Sequence, residues 1–102
     1  MNKRIVLFCA GGMSTSLLVS KMRELAKENK EEYDIEAYGI AELDKQIMHA
    51  DVVLLGPQVS YITGKINAEY PSAKVASIPM KMYAMMDGDS ILQLAEKRMG
   101  EK

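Results

Sequence analysis

The sequence predicts an α/β protein built on a four-stranded parallel sheet in the order 2-1-3-4, with helices on both faces. Two observations carry this. Short, unbroken apolar runs such as Ile5-Val6-Leu7-Phe8 and Val52-Val53-Leu54-Leu55 mark strands buried on both sides, the habit of parallel sheets. Segments with apolar residues at helical spacing separate these runs, and strand–helix alternation closes into parallel sheets through right-handed crossovers.

The elements follow in order. Ile5 to Phe8 is the first strand, and Gly11-Gly12 lies just beyond it. Leu18, Met22 and Leu25 form the apolar stripe of a helix whose Lys21, Arg23, Glu24 and Lys27 face water; Ser14 or Thr15 is its expected N-cap. Asp34 to Gly39 reads as the second strand, and Glu42 to Met48 as a short helix with Leu43 and Ile47 on one face. The third strand, Asp51 to Leu55, stops at Gly56-Pro57. Val59, Ile62 and Ile66 mark a helix that ends before Pro71. Lys74 to Ile78 is the fourth strand. Asp89 is the expected cap of a last helix through Ile91, Leu94, Ala95 and Met99, with Gly100 as its stop.

Composition narrows the function. The 102 residues are 48% apolar, enough for one compact domain spanning residues 1–102. A net charge of −1 gives no electrostatic case for nucleic-acid binding. No apolar run approaches the roughly 20 residues of a membrane helix, so a cytoplasmic protein is expected. One cysteine and one histidine exclude an internal disulfide and leave no structural metal site. No cofactor is expected.

A parallel sheet of this order binds ligands beyond the carboxyl ends of its strands, where strands 1 and 3 part. The loops there run from Cys9 to Ser14 and from Gly56 to Gln58. Cys9 ends the first strand, and Ala10, Gly11, Gly12, Met13, Ser14, Thr15 and Ser16 lead into a helix. Adjacent glycines let successive N–H groups turn inward, and a helix start adds unsatisfied N–H groups and a positive dipole end. Such a nest favours thiolate over thiol at Cys9 and suits phosphoryl oxygens. A cysteine at a strand end is equally often a small buried hydrophobe. The loop lacks the lysine of a nucleoside-triphosphate P-loop and the spacing of a dinucleotide fingerprint.

The same strand–loop–helix arrangement and topology occur in flavodoxin-like proteins, among them low-molecular-weight tyrosine phosphatases. The phosphatase motif places an arginine six residues after its cysteine; that position here is Thr15. Arg4 lies roughly 16 Å back along the strand, Arg23 about 12 Å up the following helix, and Arg98 near the end of the last helix. A second cysteine for a reductase, and the acidic residues of a phosphate-sensing receiver module, are also missing. The loop can hold a phosphoryl group and lacks the parts to hydrolyse it.

Phe8-Cys9-Ala10-Gly11-Gly12-Met13-Ser14-Thr15-Ser16-Leu17-Leu18-Val19-Ser20-Lys21-Met22 and Ala50-Asp51-Val52-Val53-Leu54-Leu55-Gly56-Pro57-Gln58-Val59-Ser60-Tyr61 closely resemble the lactose/cellobiose class of phosphotransferase-system IIB proteins. The Ala-Gly-Gly after Cys9 is a mild variation on the Ser-Ala-Gly frequent there. The resemblance covers essentially the whole chain and is less distinctive after Pro79. It implies that Cys9 accepts phosphate from a phosphohistidine on a IIA protein and passes it to sugar carried by the membrane IIC protein. The sugar it implies is of the cellobiose, chitobiose or lactose type. A monomer with transient partners is expected.

Four further residues are candidates for partner contact: Gln58, Tyr61, Met80 and Lys81. Gln58 and Tyr61 serve helix capping and packing equally well. Met80, Met82, Met85 and Met86, with Tyr83, are either core filling or partner surface. His49 precedes the third strand, at the edge away from Cys9, and is expected to be structural.

Overall fold

The computed structural model describes residues 3–10 and 14–100, with backbone alone for Ser14 and Thr15. Its strands are β1 (Lys3–Cys9), β2 (Tyr33–Gly39), β3 (Val52–Leu55) and β4 (Val75–Ser77). All pairings are parallel, in the order β2-β1-β3-β4. The helices are α1 (Ser14–Glu28), α2 (Leu43–Gln46), α3 (Thr63–Glu69), α4 (Met80–Ala84) and α5 (Gly88–Met99).

β1 is the axis of the molecule because its apolar run serves two cores. Ile5 and Leu7 point to one face, where they meet Leu18, Val19 and Met22 of α1 and Ile91, Leu92 and Ala95 of α5. Val6 and Phe8 point to the other face, with Leu43, Ile47, Val59 and Ile66. Period-two alternation thus loads both faces of one strand, and helices cover both sides of the sheet as expected. Register places Cys9 opposite Gly39 on β2, and Phe8 opposite Leu55 on β3. The end of β1 therefore sits between the ends of its two neighbours.

The crossover between β2 and β3 is less regular than the expected helix. Residues 40–49 form a 3-10 turn, the single turn of α2, and a second 3-10 turn. Leu43 and Ile47 are nevertheless both buried: the segment must drop two anchors into the core, and one α-turn between tight turns does so. Likewise a 3-10 stretch, Pro57–Ile62, precedes α3. Val59 within it is buried like Ile66, and Ile62 packs at the margin of that core.

The cap of the last helix is corrected from Asp89 to Asp87. The Ser90 N–H donates to Asp87 Oδ1 at 3.2 Å, and Ser90 Oγ donates to Asp87 Oδ2 at 2.8 Å. These bonds hold the Asp87 carboxyl below the usual carboxylate range. Asp89 already lies in the first turn and accepts from Gln93 Nε2 at 3.1 Å. Gly100 ends the helix with φ of 85°, the left-handed value that glycine adopts without steric cost. Gly88 lets α5 approach α1: a β-carbon there would stand 3.2 Å from Leu25 Cδ1 and 3.4 Å from Lys21 Cβ.

The methionine-rich segment after β4 divides in two. Met82 and Met86 pack against the core, while Met80 and Met85 are 62% and 67% exposed. Lys21 of α1 donates from Nζ to the Met86 carbonyl at 3.2 Å, tying the α4–α5 turn to α1. Among the described residues, no helix is long and apolar enough to cross a membrane.

Candidate functional site

The carboxyl edge of the sheet gathers Cys9, the Gly56–Gln58 turn and the start of α4. β1 delivers Cys9 there, at the last position of the strand and 5% exposed. Its thiol donates toward the Tyr38 carbonyl across a 3.9 Å S···O separation. Ala10 is exposed, and α1 begins at Ser14, so the N–H groups of its first turn lie at this same edge. The expected convergence of N–H groups from Ala10 through Gly11, Gly12 and Met13 to Ser16 falls in part outside the described residues. So do the side chains of Ser14 and Thr15, including their expected capping role. Ser16 is exposed in the first turn of α1.

Backbone hydrogen bonds lock the neighbouring turn to β1. The Gly56 N–H donates to the Phe8 carbonyl at 2.9 Å, and the Val59 N–H donates to the Gly56 carbonyl at 3.0 Å. Pro57 opens the 3-10 stretch, Ser60 Oγ donates to the Pro57 carbonyl at 3.1 Å, and Thr63 Oγ1 donates to the Ser60 carbonyl at 2.7 Å. A β-carbon on Gly56 would stand 3.4 Å from Gln58 Oε1, 3.5 Å from the Phe8 carbonyl oxygen and 3.7 Å from Cys9 Cβ. The bare face of Gly56 is therefore shared by the Gln58 carboxamide and Cys9.

The three arginines are engaged elsewhere. Arg4 ion-pairs with Asp34 at 2.7 Å and donates to the Tyr38 hydroxyl at 3.0 Å and Gln46 Oε1 at 2.9 Å. These partners hold it at the start of β1. Arg23 pairs with Glu36 at 3.1 Å and donates to the Ile35 carbonyl at 2.9 Å. Arg98 Nε donates to the Val75 carbonyl at 3.0 Å, at the beginning of β4. The separations expected from the sequence therefore correspond to positive partnerships, each with its own carboxylate or carbonyl.

The other candidates divide by edge. Tyr61, 75% exposed, follows β3; Met80 and the exposed Lys81 follow β4, about 10 Å across the sheet from the line of β1. Leu17, 59% exposed, stands on the first turn of α1. Four of the exposed large apolar residues, Leu17, Tyr61, Met80 and Met85, thus follow carboxyl strand ends, whereas Met48 lies at the opposite edge. His49 is exposed there too, at the end of the second 3-10 turn and before β3. Two grooves of about 480 and 460 Å³ lie away from Cys9, one beside Met48 and Tyr70 and the other along α5 beside Asn29, just past α1. The feature that sequence reasoning missed is the Tyr38 carbonyl. Only the pairing of Cys9 with Gly39 brings it under the thiol, and a backbone atom leaves no residue-type signal.

Comparison with known proteins agrees with this arrangement. The profile of the family described as "PTS system, Lactose/Cellobiose specific IIB subunit" matches residues 4–94. The galactose-specific EIIB component of the PTS of Lactococcus lactis subsp. cremoris is 44% identical, over 96% of this chain and 97% of that protein. The cellobiose-specific EIIB component of Lactococcus lactis subsp. lactis is 43% identical over the same shares. The solution structure of a cellobiose-specific IIB component from Borrelia burgdorferi superposes with a TM-score of 0.83 at 31% identity, over 100% of this chain and 95% of that one. The lactose-specific IIB domain from Streptococcus pneumoniae shares the fold, with a TM-score of 0.78 at 19% identity over 96% and 98% of the two chains. The chain is thus matched along nearly its whole length in sequence and in fold, and it belongs to the lactose/cellobiose-specific IIB family of phosphotransferase-system sugar transport, with the phosphotransferase role that membership carries.

Proposed function

We propose that this chain is a phosphoryl carrier in which Cys9 takes phosphate from a phosphohistidine of a IIA protein and gives it to a sugar held by the membrane IIC protein. The observation that carries the reading is the placement of Cys9: at the end of the central strand, just ahead of α1, with Arg4, Arg23 and Arg98 all bound to other partners. A thiolate at a helix start is a nucleophile at neutral pH. An edge without an arginine clamp can hold a phosphoryl group without driving its hydrolysis.

In the loading step the Cys9 thiol first releases its proton to solvent. The thiolate then attacks phosphorus, the S–P bond forms as the N–P bond breaks, and the electron pair of that bond returns to the histidine ring. In the unloading step the sugar hydroxyl attacks phosphorus and releases its proton to solvent, and the sulfur leaves as thiolate as the S–P bond breaks. Backbone N–H groups from Ala10 to Ser16 would steady the equatorial oxygens in both steps. The exposed residues Tyr61, Met80 and Lys81, with Gln58, are assigned to the rim on which IIA and IIC dock in turn. The chain works in the cytoplasm, as a monomer. Its sugar is of the β-linked disaccharide class; relatives named for galactose, cellobiose and oligo-β-mannoside leave the individual sugar to a transport assay with the matching IIC.

The test is phosphoryl loading. With phosphoenolpyruvate, the general phosphotransferase proteins and a matching IIA, the chain should gain one phosphoryl group, mapping to Cys9. Cys9→Ser should abolish productive transfer, since an alkoxide forms far less readily than a thiolate. His49→Ala should load normally. Label on His49, or sugar phosphorylation sustained by Cys9→Ser, would overturn the mechanism.

A further inference from the structure

We propose that Gln58 is a phosphoryl-binding residue whose carboxamide, folded over the bare face of Gly56 beside Cys9, serves the carrier in both its unloaded and loaded states. This rests on the carrier reading above and adds to it a side-chain group that shares the bare face of Gly56 with Cys9.

The placement is the first argument. Gln58 is exposed, and a long exposed side chain gains rotamer entropy by extending into water. Here it turns back instead, so that Oε1 would lie 3.4 Å from a β-carbon on Gly56, on the same face that approaches Cys9 Cβ to 3.7 Å. Its backbone is held on both sides. Pro57 fixes the entry, buried Val59 anchors the next position, and the Gly56 N–H is bonded to the Phe8 carbonyl, one residue before the thiol. A group held on a turn that is hydrogen-bonded to the nucleophile's own strand keeps its distance to the sulfur.

The chemistry of the amide is the second argument. A carrier needs different things in its two states: a neutral neighbour while Cys9 holds its proton, which is donated toward the Tyr38 carbonyl, and a donor once three anionic oxygens stand on the sulfur. A carboxamide has an acceptor oxygen and a two-hydrogen donor nitrogen of similar size, and rotation of its terminal torsion exchanges them at small cost. Glutamate at this place would repel the phosphoryl group. Lysine would hold it too firmly for Cys9 to serve next as a leaving group. With every arginine engaged elsewhere, a neutral donor matches a group that must be passed on.

The experiment compares the wild-type chain with Gln58→Ala and Gln58→Glu. Loading by the matching IIA and the lifetime of isolated phosphocysteine are followed from about pH 5 to pH 8, each rate taken relative to wild type at the same pH, and thermal midpoints serve as a folding control. Gln58→Ala should slow loading about 10- to 100-fold, the range for losing one donor to a charged group. It should change the lifetime of isolated phosphocysteine and leave the midpoint in place. Gln58→Glu should be slower still at pH 8 and recover toward wild type as the pH falls, because a protonated carboxyl regains a donor. Variants that load normally would overturn the role of Gln58. So would slow loading with an unchanged phosphocysteine lifetime, the mark of a partner contact alone, or a Gln58→Glu defect equal at every pH. A wild-type chain that takes no label would overturn the carrier reading itself, and this inference with it.

Discussion

Gly56→Ala separates the stability of the fold from the working space beside Cys9. Gly56 has φ of −61° and ψ of 153°, an extended conformation open to any residue, so alanine there brings no backbone strain. The added methyl would meet its nearest neighbours at 3.4 to 3.7 Å, ordinary contact rather than overlap. Restricting the unfolded chain stabilises by about 0.4–1 kcal/mol. Alanine is a poorer helix cap than glycine, which takes back roughly 0.5 kcal/mol. The two nearly cancel, and the thermal midpoint should stay within about 4 °C of wild type. Function should not stay: the methyl fills the face shared by the Gln58 carboxamide and Cys9, so the carboxamide can no longer swing across that face towards the sulfur, and transfer should slow by about tenfold. Gly56→Val carries branches a further ~1.5 Å toward Gln58, the Phe8 carbonyl or Cys9, so it should lose about 1–3 kcal/mol and nearly all transfer. Circular-dichroism melts and the rate of loading by IIA measure the two effects. A midpoint fall of more than about 8 °C in Gly56→Ala would refute the claim that glycine is kept for space and not for backbone. So would a folded Gly56→Val that loads at the wild-type rate.

Two other outcomes follow from the polar clusters. Arg4→Lys keeps the charge but loses the fork that reaches Asp34, Tyr38 and Gln46 together; urea unfolding should show a loss of about 1–3 kcal/mol, with loading of Cys9 unchanged. The Tyr33 hydroxyl lies 2.7 Å from buried Glu96 and 2.8 Å from Glu31, and burial together with these two carboxyl groups raises its pKa well above the ordinary tyrosine value. The folded protein therefore holds this proton more tightly than the unfolded chain does. That contribution is complete below about pH 10 and is lost as the pH rises further. Stability measured across the alkaline range should fall more steeply for wild type than for Tyr33→Phe, which in turn should be less stable at neutral pH.

The sheet was legible because its signal is compositional. Two unbroken apolar runs and two further strand segments, separated by crossovers, admit few topologies, and the position of Cys9 follows from the strand order alone. What sequence pattern could not resolve was decided by local hydrogen bonding. Asp87 and Asp89 are the same residue type two positions apart, and only the reach of Asp87 to both the N–H and the hydroxyl of Ser90 selects it as the cap. The pattern of residues 40–49 reports which side chains are buried, Leu43 and Ile47, and is silent on whether the backbone between them is α or 3-10. α4 escaped notice because its five residues, Met80–Ala84, are too few to carry an apolar stripe. At the candidate site the thiol and the Gly56–Gln58 turn were readable as residues. The Tyr38 carbonyl was not, since backbone acceptors become visible only once the register is known.

The division of β1 between two cores has a consequence for synthesis on the ribosome. β1 emerges before its partners and can pair with β2 once residue 39 is clear, yet its second edge waits for β3. α1 covers part of the face bearing Ile5 and Leu7 with Leu18 and Met22, but that core stays open until α5, at residues 88–99, arrives with Ile91, Leu92 and Ala95. A nascent chain halted before that helix would present an apolar gap beside α1, the kind of surface that chaperones and proteases recognise. α5 is therefore the seal on this core, although it lies far in sequence from the cysteine whose strand it covers.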